Sequence, residues 1–458
     1  MPDRYLEPAK SLPARRFDVV VAGGGTGGVI AALAAARQGA STALVEMKGY
    51  TGGIAVEGGT ALHSFYNLWT AFPGVEKRQV VRGIPQEVID RLWEAGGTTG
   101  HAPMVAGFDY DAVCTAIDTE IYKRVTLQML EEAGVHLCLN TMVTDAILDS
   151  GGSTVRGVIT ESHQGREALM GGAFVDATGY GDLCARAGAD YTEPNDYPVV
   201  NSIGLANVSV EGYHAFIAEH DALTQLARGR RSGVDDQIVR LDGRRTAMPA
   251  AFNEAAAEIG MSMVTTTVHD DYFMFIKINY KMDVSPTNRD AASKAEVELR
   301  RRQARAVELF RAYVPGCEKA FIARTSPSLT IRRGRLITCD YDLTRADILE
   351  GRHFEDDVLA YGFHDSAPRL QIKDGGTYGI PYRALRVAGL DNLLATGMMI
   401  TSDHDAHMST RNTVACMGQG QAAGTAAALC ALRDESTRAL PYGVLQAALE
   451  RDGVYFEA

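Results

Sequence analysis

A chain of 458 residues carries 57 acidic against 45 basic side chains, and its formal net charge of −12 argues against general binding to nucleic acid or to an anionic membrane, because both reward a positive surface. The length allows two or three lobes around a large buried core, with ordinary apolar content and abundant glycine for tight strand-to-helix turns. No apolar run reaches the roughly 18 residues of a membrane span. Residues 1–18 read as a polar lead-in without the apolar core of a signal peptide. The seven scattered cysteines, with no CxxC pair, fit reduced thiols in a cytoplasmic protein.

From Phe17 the chain reads FDVVVAGGGTGGVIAALAAARQGASTALVE. The run Val19 to Ala22 predicts a strand buried on both faces, and Gly23, Gly25 and Gly28 fit GxGxxG. The three glycines suit a tight turn, the approach of a pyrophosphate, and close packing of helix on strand, with Thr26 and Gly27 at the helix start. A helix follows over 29–37, and a second strand ends on Glu46, placed to grip a ribose hydroxyl. The helix N-terminus offers about half a positive charge to the phosphates. After Met47 and Lys48 comes a second Gly-rich loop at Gly52 and Gly53, which lets the backbone run beside the middle of a cofactor longer than NAD. The expected cofactor is FAD.

Residues 107–134 predict a long helix and VHLCL another parallel strand. The segments TMVTDAILDS, which holds Val143, and STVRGVITES alternate around the turn at 149–152, and a third strand ends in AFVDATGYGD with Thr178 and Gly179. Between 196 and 384 the pattern changes to alternating strands such as YFMFIKINYKMD, which suggest an antiparallel sheet. Of two basic stretches there, ARGRRSG reads as a surface loop and ELRRRQARAVELFR as a solvated helix rather than a nucleic-acid site.

The ATG turn at Ala177 to Gly179 resembles that of FAD-dependent oxidoreductases of the glutathione-reductase type, which interrupt the dinucleotide fold with a β-meander. The segments TSPSLTIRRGRLITCDYDLTRADILEGRHFEDDVLAYG, YGIPYRALRVAGLDNLLATGMMITSDHDAH and RNTVACMGQGQAAGTAAAL are similar to the bacterial FAD-dependent oxidoreductase family, a substrate-unassigned branch related to fumarate reductase-like flavoproteins. Tyr180 departs from the acidic or small residue more usual at its position. The resemblance implies an α/β fold: a Rossmann-type FAD domain with an inserted β-meander (17–60, 107–195 and 385–435), an α+β substrate or cap domain (61–106 and 196–384), and a C-terminal helical tail (436–458).

The resemblance also places Gly397 close to the cofactor and aims a small-residue helix, starting near Thr413, at the flavin pyrimidine ring. Arg411, Asn412, Thr413 and Val414 stand at its mouth, and Ala422, Ala423 and Gly424 are small so that the helix packs on the first strand and helix. Arg411 adds positive charge there, or else pairs with Asp403 or Asp405 and fixes the loop. His404 and His407, just upstream, are candidate bases for a substrate proton, or exposed loop histidines. A metal site from DHDAH lacks a third cluster of ligands. His63 is either a flavin attachment point or a pocket histidine. Arg332, Arg333, Tyr341, Asp342, His364 and Asp365 belong to the mid-chain signature, with Arg332 and His364 reaching the active site or with Arg–Asp pairing inside the lobe.

The expected activity is hydride transfer between a small polar substrate (CH–OH, CH–NH or activated C=C) and flavin N5. Without a second GxGxxG or a redox CxxC, the electron acceptor is external. The competing readings are a non-redox or biosynthetic flavin-fold enzyme and a cofactor-binding subunit without turnover. Self-association is left open.

Overall fold

A computed structural model describes residues 7–58, 61–107, 111–362 and 372–457. Its centre is a parallel sheet of five strands in the order Leu393–Ala395, Ala173–Asp176, Val19–Ala22, Thr42–Val45 and His136–Cys138. Four of them are buried along their whole length, as expected for strands covered on both faces. Because all five run the same way, Gly23, Glu46, Ala177 and Thr396 emerge together at the carboxyl edge, where open α/β sheets bind ligands.

The helices Thr26–Arg37 and Thr413–Arg433 pack against each other and the sheet nearly backbone to backbone. A Cβ on Gly424 would stand 2.0 Å from the Ala31 carbonyl oxygen, and one on Gly420 2.2 Å from that of Gly27. The small residues of the second helix therefore answer to packing, and its sparse side-chain chemistry follows from that.

The meander sheet runs Ala14–Arg16, Gly165–Met170, Val155–Ser162, Met142–Leu148. It corrects two expectations. The expected third strand is two strands, with Gly165–Met170 in the meander and Ala173–Asp176 turning into the parallel sheet after Gly171 and Gly172. Residues 14–16, expected as polar lead-in, form the meander's parallel edge, where Arg15 grips Glu167 through Nε–Oε1 and Nη2–Oε2 contacts of 2.6 and 2.7 Å.

The helix expected over 107–134 covers only Thr119–Glu132. Asp118 caps it, accepting the Glu120 and Ile121 amides at 2.7 and 2.9 Å. Upstream, Val113–Thr115 is instead a strand, with two of its three residues β-branched.

That strand belongs to a six-stranded sheet in the order Thr265–Thr266, Val234–Gly243, Leu223–Arg231, Ala102–Ala106, Val113–Thr115, Leu62–His63. A second sheet orders Tyr272–Tyr280, Val199–Ala206 and Phe321–Thr325. The helix Arg289–Tyr313 buries Leu299, Ala306 and Phe310 and exposes most of its charges. The stretch expected as the loop ARGRRSG lies mostly in a strand, where Arg231 is 5% exposed and reaches Glu211 and Asp270 at 2.6 and 2.7 Å. Charge alone did not mark a loop because the acids that neutralise Arg231 come from elsewhere in the chain.

The helix Ile84–Glu94 packs into the core of the parallel sheet through Val88, Ile89 and Leu92. The C-terminal helix Tyr442–Arg451 docks on the same core through Leu445 and Leu449. Among the described residues no helix is long and apolar enough to cross a membrane.

Candidate cofactor cleft and active site

A cleft of about 540 Å³ opens at the carboxyl edge of the parallel sheet and is walled on its far side by the second lobe. Of the residues expected on a cofactor, Gly23, Gly25, Thr26, Gly27, Glu46, Met47, Lys48, Gly53, Val143, Thr178, Gly179 and Gly397 line it. Gly28, Gly52, Asn412, Thr413 and Val414 do not.

The glycines separate by physical cause. A Cβ on Gly28 would lie 1.8 Å from the Gly23 carbonyl oxygen, so Gly28 serves helix–strand packing. Gly52 has φ +113°, and a Cβ there would meet Val56 at 2.4 Å, so it too is demanded by the fold. Gly25 has φ −68°, and no protein atom lies nearer than 3.8 Å to where its Cβ would stand, so neither backbone nor packing requires glycine there. What a side chain at Gly25 would fill is the cleft itself. The Gly52 amide donates to the Gly24 carbonyl at 2.8 Å, which brings the two Gly-rich loops side by side. Gly25 also caps the helix Thr26–Arg37 without a side-chain acceptor, leaving first-turn amides for an anion in the cleft. These features fit the pyrophosphate of a dinucleotide.

Glu46 is 8% exposed and accepts the amides of Gly24 at 2.6 Å and Lys48 at 2.8 Å. Burial raises its pKa, against the lowering effect of those two amides. Lys48 is ion-paired with Glu57 and reaches Ser328 Oγ at 2.8 Å, so its ammonium ties the lobes together beside the cleft. Gly397, at φ +99°, donates its amide to Gln419 Oε1 at 2.8 Å.

At the start of the helix Thr413–Arg433, Val414 is fully buried and the Asn412 side chain turns back to the carbonyls of Met408 and Ser409, so Cys416 is the part of that first turn that meets the cleft. Burial pushes the Cys416 thiol up to about 12, which keeps it protonated.

The segment expected as a loop before that helix is itself the short helix His404–Thr410, capped by Asp403, whose carboxylate accepts the Ala406 amide at 2.8 Å. Three consequences follow. His407 is fully buried, and its Nε2–H donates to the Met398 carbonyl at 2.8 Å, which fixes the neutral tautomer and leaves Nδ1 buried without a hydrogen-bond partner. Burial, then Arg333 and Arg411, push its pKa well below the usual histidine range. His404 is no free loop histidine either, since Nδ1 meets Asp196 at 2.7 Å and the ring stacks on Tyr197 with centroids 4.9 Å apart. Arg411 stands over the Tyr197 ring at 5.4 Å, while Asp403 accepts the Arg345 amide and Asp405 pairs with the Arg345 guanidinium at 3.2 Å. The two acids weighed as Arg411's partners thus serve Arg345.

His404, His407 and Arg411 do not line the cleft. They form a cluster with Asp196, Tyr197 and Arg333 that is tied through His407 to the carbonyl of Met398, a residue that does line it. His364 and Asp365 lie outside the described residues. Tyr341 donates to Asp347 at 3.0 Å and carries Arg383 over its ring, which makes it part of the lobe's own packing. Burial raises the Asp342 carboxyl, with Asp403 adding to it. His63 meets Asp111 at 2.8 Å through Nδ1. Tyr180 lines the cleft, its hydroxyl pushed up by burial and its carbonyl held by Arg335 at 3.0 Å. Among the described residues no group of three or more His, Cys, Asp or Glu side chains gathers as metal ligands.

Sequence reasoning missed the far wall, residues Ser328 to Ile331, together with Glu57, Thr396 and Cys416. Cys416 carried a usable signal, one turn into the small-residue helix. The far wall carried none, because only the tertiary fold brings it opposite Gly25.

Among solved structures, a geranylgeranyl bacteriochlorophyll reductase-like protein of Thermoplasma acidophilum matches with a TM-score of 0.51 at 12% identity, over 96% of this chain and 83% of that one. The p-nitrophenol 4-monooxygenase of Pseudomonas putida matches at 0.46 and 11% identity, over 96% and 89%. At 12% identity the first of these likenesses speaks for the fold alone. A comparison with curated proteins finds no significant match. The sequence profile described as FAD dependent oxidoreductase matches residues 18–449, nearly the whole chain. With a Rossmann-type FAD domain, a second substrate lobe and a cleft suited to FAD between them, the chain belongs to the FAD dependent oxidoreductase family.

Proposed function

We propose that this flavoenzyme oxidises a small polar compound at a CH–OH or CH–NH centre, or reduces an activated C=C bond, and passes electrons to an external acceptor in the cytoplasm. Bound FAD supplies two-electron chemistry at N5. The chain supplies the proton site, and the observation that carries this reading is His407. It is a neutral imidazole whose Nε2–H is committed to Met398, with Nδ1 left as a buried lone pair. In this reading Nδ1 takes the substrate's proton by way of the Met398 corner, since His407 itself is buried and does not line the cleft. Arg333, paired with Asp196 at 2.6 Å, and Arg411 both depress His407 and so keep the imidazole neutral. The narrower kinship with glutathione-reductase-type and fumarate-reductase-like flavoproteins rests on the Gly52–Gly53 loop and the ATG turn. The test is anaerobic titration of the yellow protein with panels of hydroxy acids, amino acids and unsaturated acids, the last against pre-reduced enzyme. Bleaching by one hydroxy or amino acid, or reoxidation by one unsaturated acid, supports the reading. A flavin that dithionite reduces but that no panel member reduces or reoxidises sinks it.

A further inference from the structure

The geometry points to a two-sided clamp on the cofactor, in which the hydroxyls of Thr396 in the FAD lobe and Thr330 in the second lobe both hydrogen-bond to FAD. Thr396 is 1% exposed and Thr330 7%, both line the cleft, and the Oγ1 atom of each is buried without a hydrogen-bond partner. A buried hydroxyl left unpaired is costly, so two of them lining one cavity mark where a ligand's polar atoms belong.

Both hydroxyls are held in place by the backbone. The Thr330 amide and carbonyl each bond to Val200, at 2.9 Å, which pins the residue to the strand Val199–Ala206 and leaves the side chain uncommitted. The Thr396 amide donates to the Asp176 carbonyl at 3.0 Å, and its Oγ1 stands 3.4 Å from where a Cβ on Gly27 would be, beside the Gly-rich loop.

The far wall runs in a direction that places Thr330 opposite the middle of the cofactor. At one end Ser328 bonds to Lys48, two residues past Glu46, where the ribose is expected. At the other, Ile331 sits in the second-lobe core against which Tyr180 and Met398 pack. Thr330 lies between these ends and lines the same cleft as Gly25 and Thr396. The oxygen-rich centre of FAD, its phosphates and ribityl hydroxyls, is the chemistry that satisfies hydroxyls from both sides. The clamp is independent of the substrate's identity. It makes the second lobe a cofactor-holding element, so that FAD binding joins the lobes.

The test uses purified holoenzyme diluted stepwise, with free FAD read by its recovered fluorescence. Thr330→Val and Thr396→Val keep the shape and remove the hydroxyl, and each should raise the FAD dissociation constant by about three- to thirty-fold. Thr330→Ser and Thr396→Ser should restore it to within about two-fold. Thr425 supplies the control: its hydroxyl is equally buried and unpaired but does not line the cleft, so Thr425→Val should leave FAD affinity unchanged. An unchanged constant in Thr330→Val overturns the second-lobe half of the clamp, and one unchanged in Thr396→Val overturns the other. An equal loss in Thr425→Val would overturn the specificity of both.

Discussion

His404 shares a single carboxylate oxygen with Arg333: Oδ2 of Asp196 lies 2.7 Å from His404 Nδ1 and 2.6 Å from Arg333 Nη1. Arg333 is almost wholly buried, so Asp196 is the group that neutralises it, and His404 is fastened to that pair rather than poised alone. The two histidines of the cluster therefore have different work. His407→Gln should slow the reductive half-reaction by about 10² to 10⁴, the usual range for a general base, with a normal flavin spectrum. His404→Asn should slow it less and lower the melting temperature more. Stopped-flow reduction and thermal melting of both variants check this; equal rates in His407→Gln and wild type would move the base elsewhere.

The pH profile follows from the same burial. Because His407 is held well below the usual histidine range, it is already neutral above pH 6.5, the ordinary value. A limb of the rate profile between pH 6.5 and 8 should thus survive in His407→Gln, if wild type shows one. Loss of that limb in this variant would contradict the neutral tautomer.

Gly25→Val should give colourless or poorly soluble protein. The backbone tolerates a side chain at φ −68°, and the nearest protein atom leaves room for a Cβ, so the loss is assigned to the cofactor's path. Absorbance at the flavin band per mole of folded protein is the measurement. Wild-type FAD content in folded Gly25→Val refutes the placement of the pyrophosphate.

Glu46→Ala should weaken FAD retention by about ten- to a hundred-fold, as expected for a charged hydrogen bond worth about 1.5–3 kcal/mol. The structure adds a second cost, since the Gly24 and Lys48 amides also lose their acceptor. Glu46→Gln should recover part of the retention by keeping an acceptor oxygen. Dialysis followed by flavin quantification distinguishes the three proteins.

Asp118 and His269 make a pH-dependent tie between the lobes, 2.5 Å apart. The hydrogen bond from Asp118 raises the His269 pKa above 6.5, despite some desolvation. A raised folded-state value means that the stabilisation is fully present below about pH 6.5 and is lost as pH climbs through the folded value. On the acid side it is lost as Asp118 is protonated, at a pKa lowered by His269 against the effect of burial. The melting-temperature difference between wild type and His269→Gln should therefore be largest near pH 5.5 and close by pH 8.5. A difference that grows with pH would reverse the assignment.

Local chemistry decided what was legible beforehand. The strand–glycine–helix unit at 19–37 and Glu46 could be read because each piece is defined by neighbours within about thirty residues. The small residues at 420–424 announced close helix packing, and the Gly424 contact with Ala31 bears that reason out. The helix expected from residue 107 failed because Val113–Thr115 pairs with Leu62–His63, about fifty residues upstream, and sheet pairing overrode local periodicity. The basic stretch ending at Arg231 failed likewise, its neutralising acids being Glu211 and Asp270. The exposed-loop reading of His407 failed because a seven-residue helix folded it inward.

The strand order of the parallel sheet also bears on biosynthesis. Its edge strand Leu393–Ala395 pairs with Ala173–Asp176, more than two hundred residues earlier, and the helix that seals the first βαβ unit ends at Arg433. A nascent chain exposes the apolar flank of Ala173–Asp176 and the Ala-rich face of Thr26–Arg37 until Leu393–Ala395 and Thr413–Arg433 have been translated. Such long-range closure is slow and leaves time for aggregation. The nucleotide fold thus closes only once the chain has been made through Arg433, and chaperone dependence of chains cut short of that helix, not relieved by added flavin, is the behaviour this connectivity dictates.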